Sequence, residues 1–233
     1  YVIEYPERLL VMDVAVRCHR QLLGFVESEL KRPISDVELV VSSHDDPDHM
    51  GGVAATAQIC EAKIAIPYSS RLAHHKFLND PTGSLFRFGT SVREAFRMRS
   101  WDMYVNTERD RQAREQPQLD EHHGEVVEGG LQEDFRLKHQ QTLPGFDDWQ
   151  VIHTPGHSWD SCCYYHAASG SLISGDTLLG SGKQNRLVLP SIYSNPLQMR
   201  KSLRQLRQLQ VCAVYPGHGS VIEGKQVIGQ VRA

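Results

Sequence analysis

Cysteine is scarce in this chain: five residues among 233, at Cys18, Cys60, Cys162, Cys163 and Cys212, an odd number with no Cys-x-x-Cys pair. That argues against a disulfide framework or a cysteine zinc knuckle, and makes buried, reduced thiols in a cytoplasmic protein the expectation. Excess charge of one sign is also missing. A net charge of −3, with no basic patch interleaved with aromatics, gives no electrostatic footprint for nucleic acid, so no nucleic-acid partner is expected. No apolar run approaches the roughly 20 residues that a helix needs to cross a bilayer, so no membrane partner is expected either. The opening Tyr1-Val2-Ile3-Glu4-Tyr5-Pro6 has neither the basic start nor the long apolar stretch of a signal peptide. The chain has no initial Met, which leaves room for residues before Tyr1. A Gly-x-Ser-x-Gly elbow is absent, and Cys162-Cys163 fall within a strand-like run, so neither a serine nor a thiol nucleophile is marked. What remains is a chain with 40% hydrophobic residues, enough for a real core in one large domain or two small ones. Oligomeric state is not legible.

The most concentrated chemistry lies in Ser43-His44-Asp45-Asp46-Pro47-Asp48-His49-Met50-Gly51-Gly52. Five potential metal ligands occupy six consecutive positions, His44 to His49. The apolar, β-branched run Val37–Val41 precedes it and the helix-like Val53–Gln58 follows, so the order is strand, polar loop, helix. A loop at the end of a buried strand is a rigid place to present ligands. Pro47 fixes its own φ and restricts Asp46, which partly shapes the loop in advance.

Along the chain, residues 1–13 read as a hairpin around Pro6-Glu7-Arg8, residues 17–31 as an amphipathic helix closed by Pro33, and Lys63–Ile66 as a strand closed by Pro67. Residues 71–134 change character. They are rich in Arg, Glu, Gln and His, with Leu85, Phe86, Phe88, Val92 and Phe96 at helical spacing and an aromatic and Met cluster at Met98, Trp101, Met103, Tyr104 and Val105. This is read as a mostly helical insertion with a polar stretch at 106–134. Arg87, Arg93, Arg97 and Arg99 read first as a solvated helix face and second as an attractor for an anionic substrate. His74-His75 and His122-His123 have no strand–loop context. Strands are expected again at Phe135–Leu137, Trp149–Ile152, Ser161–Tyr165, Ser171–Ser174 and Val211–Tyr215, with a helix over Gln198–Leu209.

One pattern recurs. An apolar strand stops and a His or Asp follows beside Gly or Pro at His44–His49, at His157, at Asp176 and at His218. Strands lying side by side would bring these four places to one rim. The set resembles the metallo-β-lactamase superfamily. The matching residues are His44, Asp48 and His49 with Gly51-Gly52 behind them, His157 in Thr154-Pro155-Gly156-His157, Asp176 in Ser174-Gly175-Asp176, and His218 in Pro216-Gly217-His218-Gly219. The resemblance covers roughly residues 1–70 and 135–224. It implies an α/β fold, a four-layer αββα sandwich with a mostly helical insertion, in one domain over 1–233. Such proteins vary their substrate pocket where 71–134 lies, so the insertion is read as a substrate cap, and the start of the fold is expected to be incomplete.

There is one departure from the family loop: Asp46 stands where the second histidine is usual. By analogy, His44, Asp46 and His157 would hold a first metal, Asp48, His49 and His218 a second, and Asp176 would bridge. The alternative is that Asp46 abolishes the first site. Carboxylate is a competent ligand for zinc, the expected metal, and for iron or manganese. Two divalent ions, three carboxylates and one hydroxide sum to zero charge, one unit less positive than with a second histidine, which favours harder metals. The leading reading is a dinuclear metal-dependent hydrolase using a metal-bridging hydroxide on a small ester, thioester, lactone or phosphoester, with Asp48 orienting the hydroxide or taking a proton. A di-iron oxygen-binding or redox domain of the flavodiiron type, without its flavodoxin domain, is the second, because that branch uses a comparable His-x-Glu-x-Asp-His loop. A non-catalytic metal-binding sensor is the third. Tyr193 is a candidate oxyanion donor, Asp160 a candidate partner behind His157, and His153 and His166 are read as strand residues.

Overall fold

The computed structural model describes residues 1–70, 81–97 and 131–231. His74-His75, Met98, Arg99, Trp101, Met103, Tyr104, Val105 and His122-His123 lie outside the described residues. The chain divides into two units, and each is described by itself.

The first unit takes in residues 1–66 and 131–136. Its strands are β1 (Val2–Glu4), β2 (Leu9–Met12), β3 (Val37–Val41), β4 (Lys63–Pro67) and β5 (Phe135–Leu137), hydrogen-bonded in that order into one sheet. The β1–β2 hairpin is antiparallel, whereas β2, β3 and β4 are parallel. Parallel strands are covered on both faces, which is why Leu9–Met12 is fully buried and β3 buries every residue but Glu38. Helices α1 (His19–Ser28) and α3 (Val53–Cys60) contribute Leu23, Val26, Val53 and Ala57 to a core with Leu9, Val11, Val40 and Ile64. Between β3 and α3 the expected ligand loop closes into one short turn of helix, α2 (Pro47–Met50), because Pro47 takes the first helical position, where its missing N–H costs nothing.

The second unit carries a six-stranded sheet in the order β13-β12-β9-β8-β7-β6: β6 (Thr142–Leu143), β7 (Phe146–His153), β8 (Cys162–His166), β9 (Ser171–Gly175), β12 (Ala213–Pro216) and β13 (Ile222–Glu223). The hairpin β10 (Leu179–Ser181) and β11 (Arg186–Val188) is separate. Strand β8 is antiparallel to both β7 and β9, and β9 is parallel to β12, so β7, β9 and β12 all run the same way and end at one edge. Helix α4 (Pro81–Ala95) realises part of the helical reading of 71–134, and α5 (Pro196–Leu206) packs Leu203 and Leu206 against Ile152, Cys163, Leu172 and Val214. The α5 helix starts two residues earlier than its apolar stripe suggests, because the Asn195 side chain accepts from the amides of Leu197 and Gln198 and Pro196 fills the first position. It also ends earlier, at Leu206, with Arg207 as its cap. Strands β6, β10, β11 and β13 are too short to show a period in sequence, and His153 and His166 end β7 and β8 as expected.

Gly180 and Gly219 meet backbone to backbone. Gly180 N–H donates to the His218 carbonyl at 3.1 Å, Ser220 N–H donates to Gly180 O at 3.0 Å, and a Cβ on either glycine would collide with the opposing backbone. Gly180→Ala is expected to destabilise the protein by about 1–3 kcal/mol through overpacking. Gly89→Ala in α4, where a Cβ meets nothing within 4 Å, should stabilise it by up to about 1 kcal/mol. Thermal melts that move the same way for both variants would contradict this close approach.

Candidate metal-ligating residues

In the first unit, β2 and β3 are parallel with Met12 beside Val41, so the residues after them emerge together. Asp13, in the left-handed region at φ 59°, turns its carboxylate back over Ser43 and His49. It accepts from the Ser43 amide at 2.6 Å, the Ser43 hydroxyl at 2.8 Å and His49 Nδ1 at 2.9 Å. Burial alone would raise the Asp13 carboxyl, but His49 and His44 beside it, with the hydrogen bonds from His49 and Ser43, hold it below the usual carboxylate range. The loop after Asp13 is laced to α2: Val14 N–H donates to His49 O, Val16 N–H to Pro47 O, and Gly52 N–H to Val14 O. That lacing explains Gly51-Gly52, since a Cβ at either position would strike residues 14–16.

Hydrogen bonds hold both histidines through Nδ1. An ionised carboxylate only accepts, so the Ser43 hydroxyl donates to Asp13 and must accept from His44 Nδ1, 2.9 Å away. His49 Nδ1 likewise carries its proton towards Asp13. Nδ1 is thus occupied on both imidazoles, and Nε2 is the nitrogen each ring turns towards the acidic side chains of the loop. His44 Nε2 lies 3.2 Å from Asp46 Oδ2 and His49 Nε2 lies 3.8 Å from Asp48 Oδ2. The two histidines are buried, while half of the Asp48 side chain faces solvent.

The second unit repeats the device. His157 follows β7, Asp176 follows β9 and His218 follows β12, at the edge those three strands share. Asp176 Oδ2 is 3.6 Å from Nε2 of His157 and 3.6 Å from Nε2 of His218. His157 Nδ1 donates to the Ile192 carbonyl at 2.8 Å, which leaves its Nε2 as the lone pair. Ser194 N–H and Oγ bind the His157 carbonyl, and Gly156, at φ 147°, lets the turn lie against Met199. Asp160 is fully buried and accepts from Ser158 at 2.8 Å and Ser70 at 2.6 Å, bracing the turn behind His157. Tyr193 is tied to α4: its backbone pairs with the Thr90 hydroxyl at 3.3 Å.

Four imidazole Nε2 atoms thus each stand beside a carboxylate oxygen, and in three of them, His44, His49 and His157, Nδ1 is held by Ser43, Asp13 and Ile192. Neutral histidine plus ionised carboxylate is the donor chemistry of a divalent transition-metal site. The buried thiols are poor nucleophiles. Burial pushes Cys60 up to about 12 and Cys163 up to about 11, the latter against hydrogen bonds from Thr154 and Thr177, and raises Cys162 well above its ordinary value. Sequence reasoning passed over Asp13. It follows the apolar run Leu9–Met12 directly, the same strand-then-acid signal as the other sites, but without Gly or Pro beside it.

Solved structures define the class first. A metallo-beta-lactamase family protein from Thermus thermophilus superposes with a TM-score of 0.59 at 22% identity, covering 99% of this chain and 71% of that one. The FIM-1 metallo-beta-lactamase of Pseudomonas aeruginosa, solved in a mono-zinc form, gives 0.60 at 15% identity over 98% and 78%. The α/β fold with two mixed sheets is therefore the metallo-β-lactamase fold. The chain belongs to the metallo-beta-lactamase superfamily, whose family model matches residues 1–218. Curated relatives include the Bacillus subtilis (strain 168) protein named "Probable metallo-hydrolase YqjP", 33% identical over 95 residues, 39% of this chain and 30% of that protein. The hydroxyacylglutathione hydrolase of Hydrogenovibrio crunogenus is 45% identical over 76 residues, 31% of this chain and 25% of its own length. An atrochrysone carboxyl ACP thioesterase of Aspergillus fumigatus is 40% identical over 74 residues, 31% of this chain and 16% of its own. The chain thus matches less than a third of each of these relatives' lengths.

Proposed function

We propose that the donor sets of the two units hold one dinuclear metal centre and that the protein is a metal-dependent hydrolase of a small ester, thioester, lactone or phosphoester. His44, Asp46 and His157 would hold the first ion, Asp48, His49 and His218 the second, with Asp176 shared. The observation that carries the reading is the set of three histidines locked by Ser43, Asp13 and Ile192 with Nε2 offered beside carboxylates. Membership of a family that includes a named metallo-hydrolase supports it, and the thioesterase among the relatives puts thioesters first in the substrate panel. When bound, the ions would activate water at neutral pH and polarise the scissile carbonyl or phosphoryl oxygen. The chain's own residues do the rest. Asp13, Ser43 and Ile192 hold the imidazoles in place, so no reorganisation is needed during the reaction. Asp48, with the most solvent-exposed carboxylate of the set, orients the attacking water and passes its proton to solvent.

The test is metal identity and stoichiometry on protein purified without chelators, followed by turnover of a thioester, ester, lactone and phosphodiester panel. Two zinc or manganese ions per chain with turnover is the expected result. No metal after reconstitution overturns the reading. Asp46 beside His44 favours one second reading, a di-iron oxygen-binding domain. Two irons with an oxygen-dependent change in visible absorption, and no hydrolysis, would select it.

A further inference from the structure

The outer face of α5 carries charge of one sign. Arg200, Lys201, Arg204 and Arg207 stand on its solvent side, and all four are exposed. No Asp or Glu occurs between Asn195 and Gln210. Arg207 Nη2 donates to the Val231 carbonyl. Among the described residues, no carboxylate pairs with Arg200, Lys201 or Arg204. Residues 137–233 hold nine Lys and Arg against five Asp and Glu although the whole chain is net −3, so positive charge is gathered in this part of the molecule. Like charges at i,i+3 and i,i+4 repel along a helix, and a solvated face ordinarily mixes signs. This face keeps the repulsion and adds Leu197, 71% exposed, at its start. It is also firmly held. Asn195 caps the helix, Ser202 Oγ donates to the Pro155 carbonyl at 2.8 Å, and Met199 lies against Gly156. Helix α5 and the turn that ends in His157 therefore form one piece, and the cations make a row about 10 Å long.

We propose that this face of α5 docks an acidic helix of a partner protein. Docking there goes beyond the hydrolase reading and does not depend on it. Carboxylates three and four residues apart on a second helix have the same rise as the row, and each cation then faces an acid as well as its like-charged neighbours. Leu197 meets an apolar side chain at the end of such a helix, a contact that a phosphate backbone does not offer. A bilayer surface is a poorer match too, because Met199, Leu203 and Leu206, the apolar side of α5, are buried and cannot insert. The helix is fixed before binding, so no backbone ordering opposes association.

The experiment titrates the full chain into two dye-labelled, stapled helical peptides and reads fluorescence anisotropy. One peptide has glutamates along a single face and a leucine at the end of that face. The other has the same composition with the glutamates distributed around the helix. The one-faced peptide should bind roughly 10-fold tighter, and should weaken as salt rises from about 0.05 to 0.5 M. Arg200→Glu and Arg204→Glu should each weaken it by roughly 3- to 10-fold, the size of a surface ion pair turned into a repulsion. Leu197→Ser should weaken it by a similar factor with the salt dependence unchanged, since an apolar contact is not screened. Lys31→Glu, exposed in the first unit, makes the same change in net charge and should have no effect. All four substituted side chains are exposed, so the variants should keep the circular dichroism of the wild type. No binding, equal affinity for the two peptides, or an equal loss in Lys31→Glu would overturn the proposal and leave α5 a solvated basic face. Tighter binding of a duplex oligonucleotide or of phosphatidylglycerol vesicles, lost in Arg200→Glu, would overturn it in favour of nucleic acid or a membrane surface.

Discussion

His44→Ala and His218→Ala are each expected to strip metal from the protein and to lower hydrolysis by at least about 100-fold, since loss even of a residue that only supports a ligand costs roughly 10- to 100-fold. The pair is chosen because the two histidines belong to different units. If the donor sets form one centre, either substitution lowers metal content and turnover together. If they form separate sites, each variant loses the metal of its own unit and leaves that of the other unit unchanged. The measurement is elemental analysis on dialysed protein beside the substrate panel, with circular dichroism to confirm that each variant folds. His44 is fully buried, so its removal also leaves a cavity. His218 is partly exposed and carries less of that structural cost. Unchanged metal content in both variants would end the dinuclear proposal.

The second large effect belongs to Asp13, which ligates nothing. Asp13→Asn keeps the shape but puts an amide NH2 where one carboxylate oxygen accepted. If that NH2 faces His49, Nδ1 must become the acceptor and the proton moves to Nε2, which then has no lone pair to give. If it faces Ser43 instead, the short bond from the Ser43 amide is lost. Metal affinity should fall roughly 10- to 100-fold in a chelator competition, with the fold intact. An affinity equal to wild type would show that Asp13 does not set the His49 tautomer. The sign of the pH dependence follows from the lowered Asp13 pKa. A carboxyl whose folded value lies below its ordinary 3.8 contributes stability that is fully present above that value and lost as pH falls through the folded one. In metal-free protein, the deficit of Asp13→Asn should therefore be constant at neutral and mildly acidic pH and shrink only at pH below about 3.8.

Much of the donor set was legible because its signals are local. A strand announces itself by a run of Val, Leu and Ile, its end by Gly or Pro, and the ligand by standing next to that end, so His44, Asp46, Asp48, His49, His157, Asp176 and His218 could all be picked from the chain. Asp13 carried half of that signal and was passed over. Arg87, Arg93 and Arg97 looked alike in sequence, as a solvated stripe; the structure sets Arg87 against His157, and Arg93 and Arg97 against Glu94. A side chain some seventy positions away along the chain leaves no periodic trace near His157.

The sequence by itself determined the residue types, their places after strands and the family they belong to, because period, punctuation and chemistry are properties of short stretches. Tertiary structure alone decided which way the strands run. The parallel pairing of β2 with β3 puts Asp13 over Ser43 and His49, and the common direction of β7, β9 and β12 puts His157 and His218 equally distant from Asp176. It also decided what holds Nδ1 of His44, His49 and His157. A tautomer is set by the partner of the other ring nitrogen, and those partners, Asp13, Ser43 and Ile192, are brought there by backbone ladders and turns that no local pattern encodes.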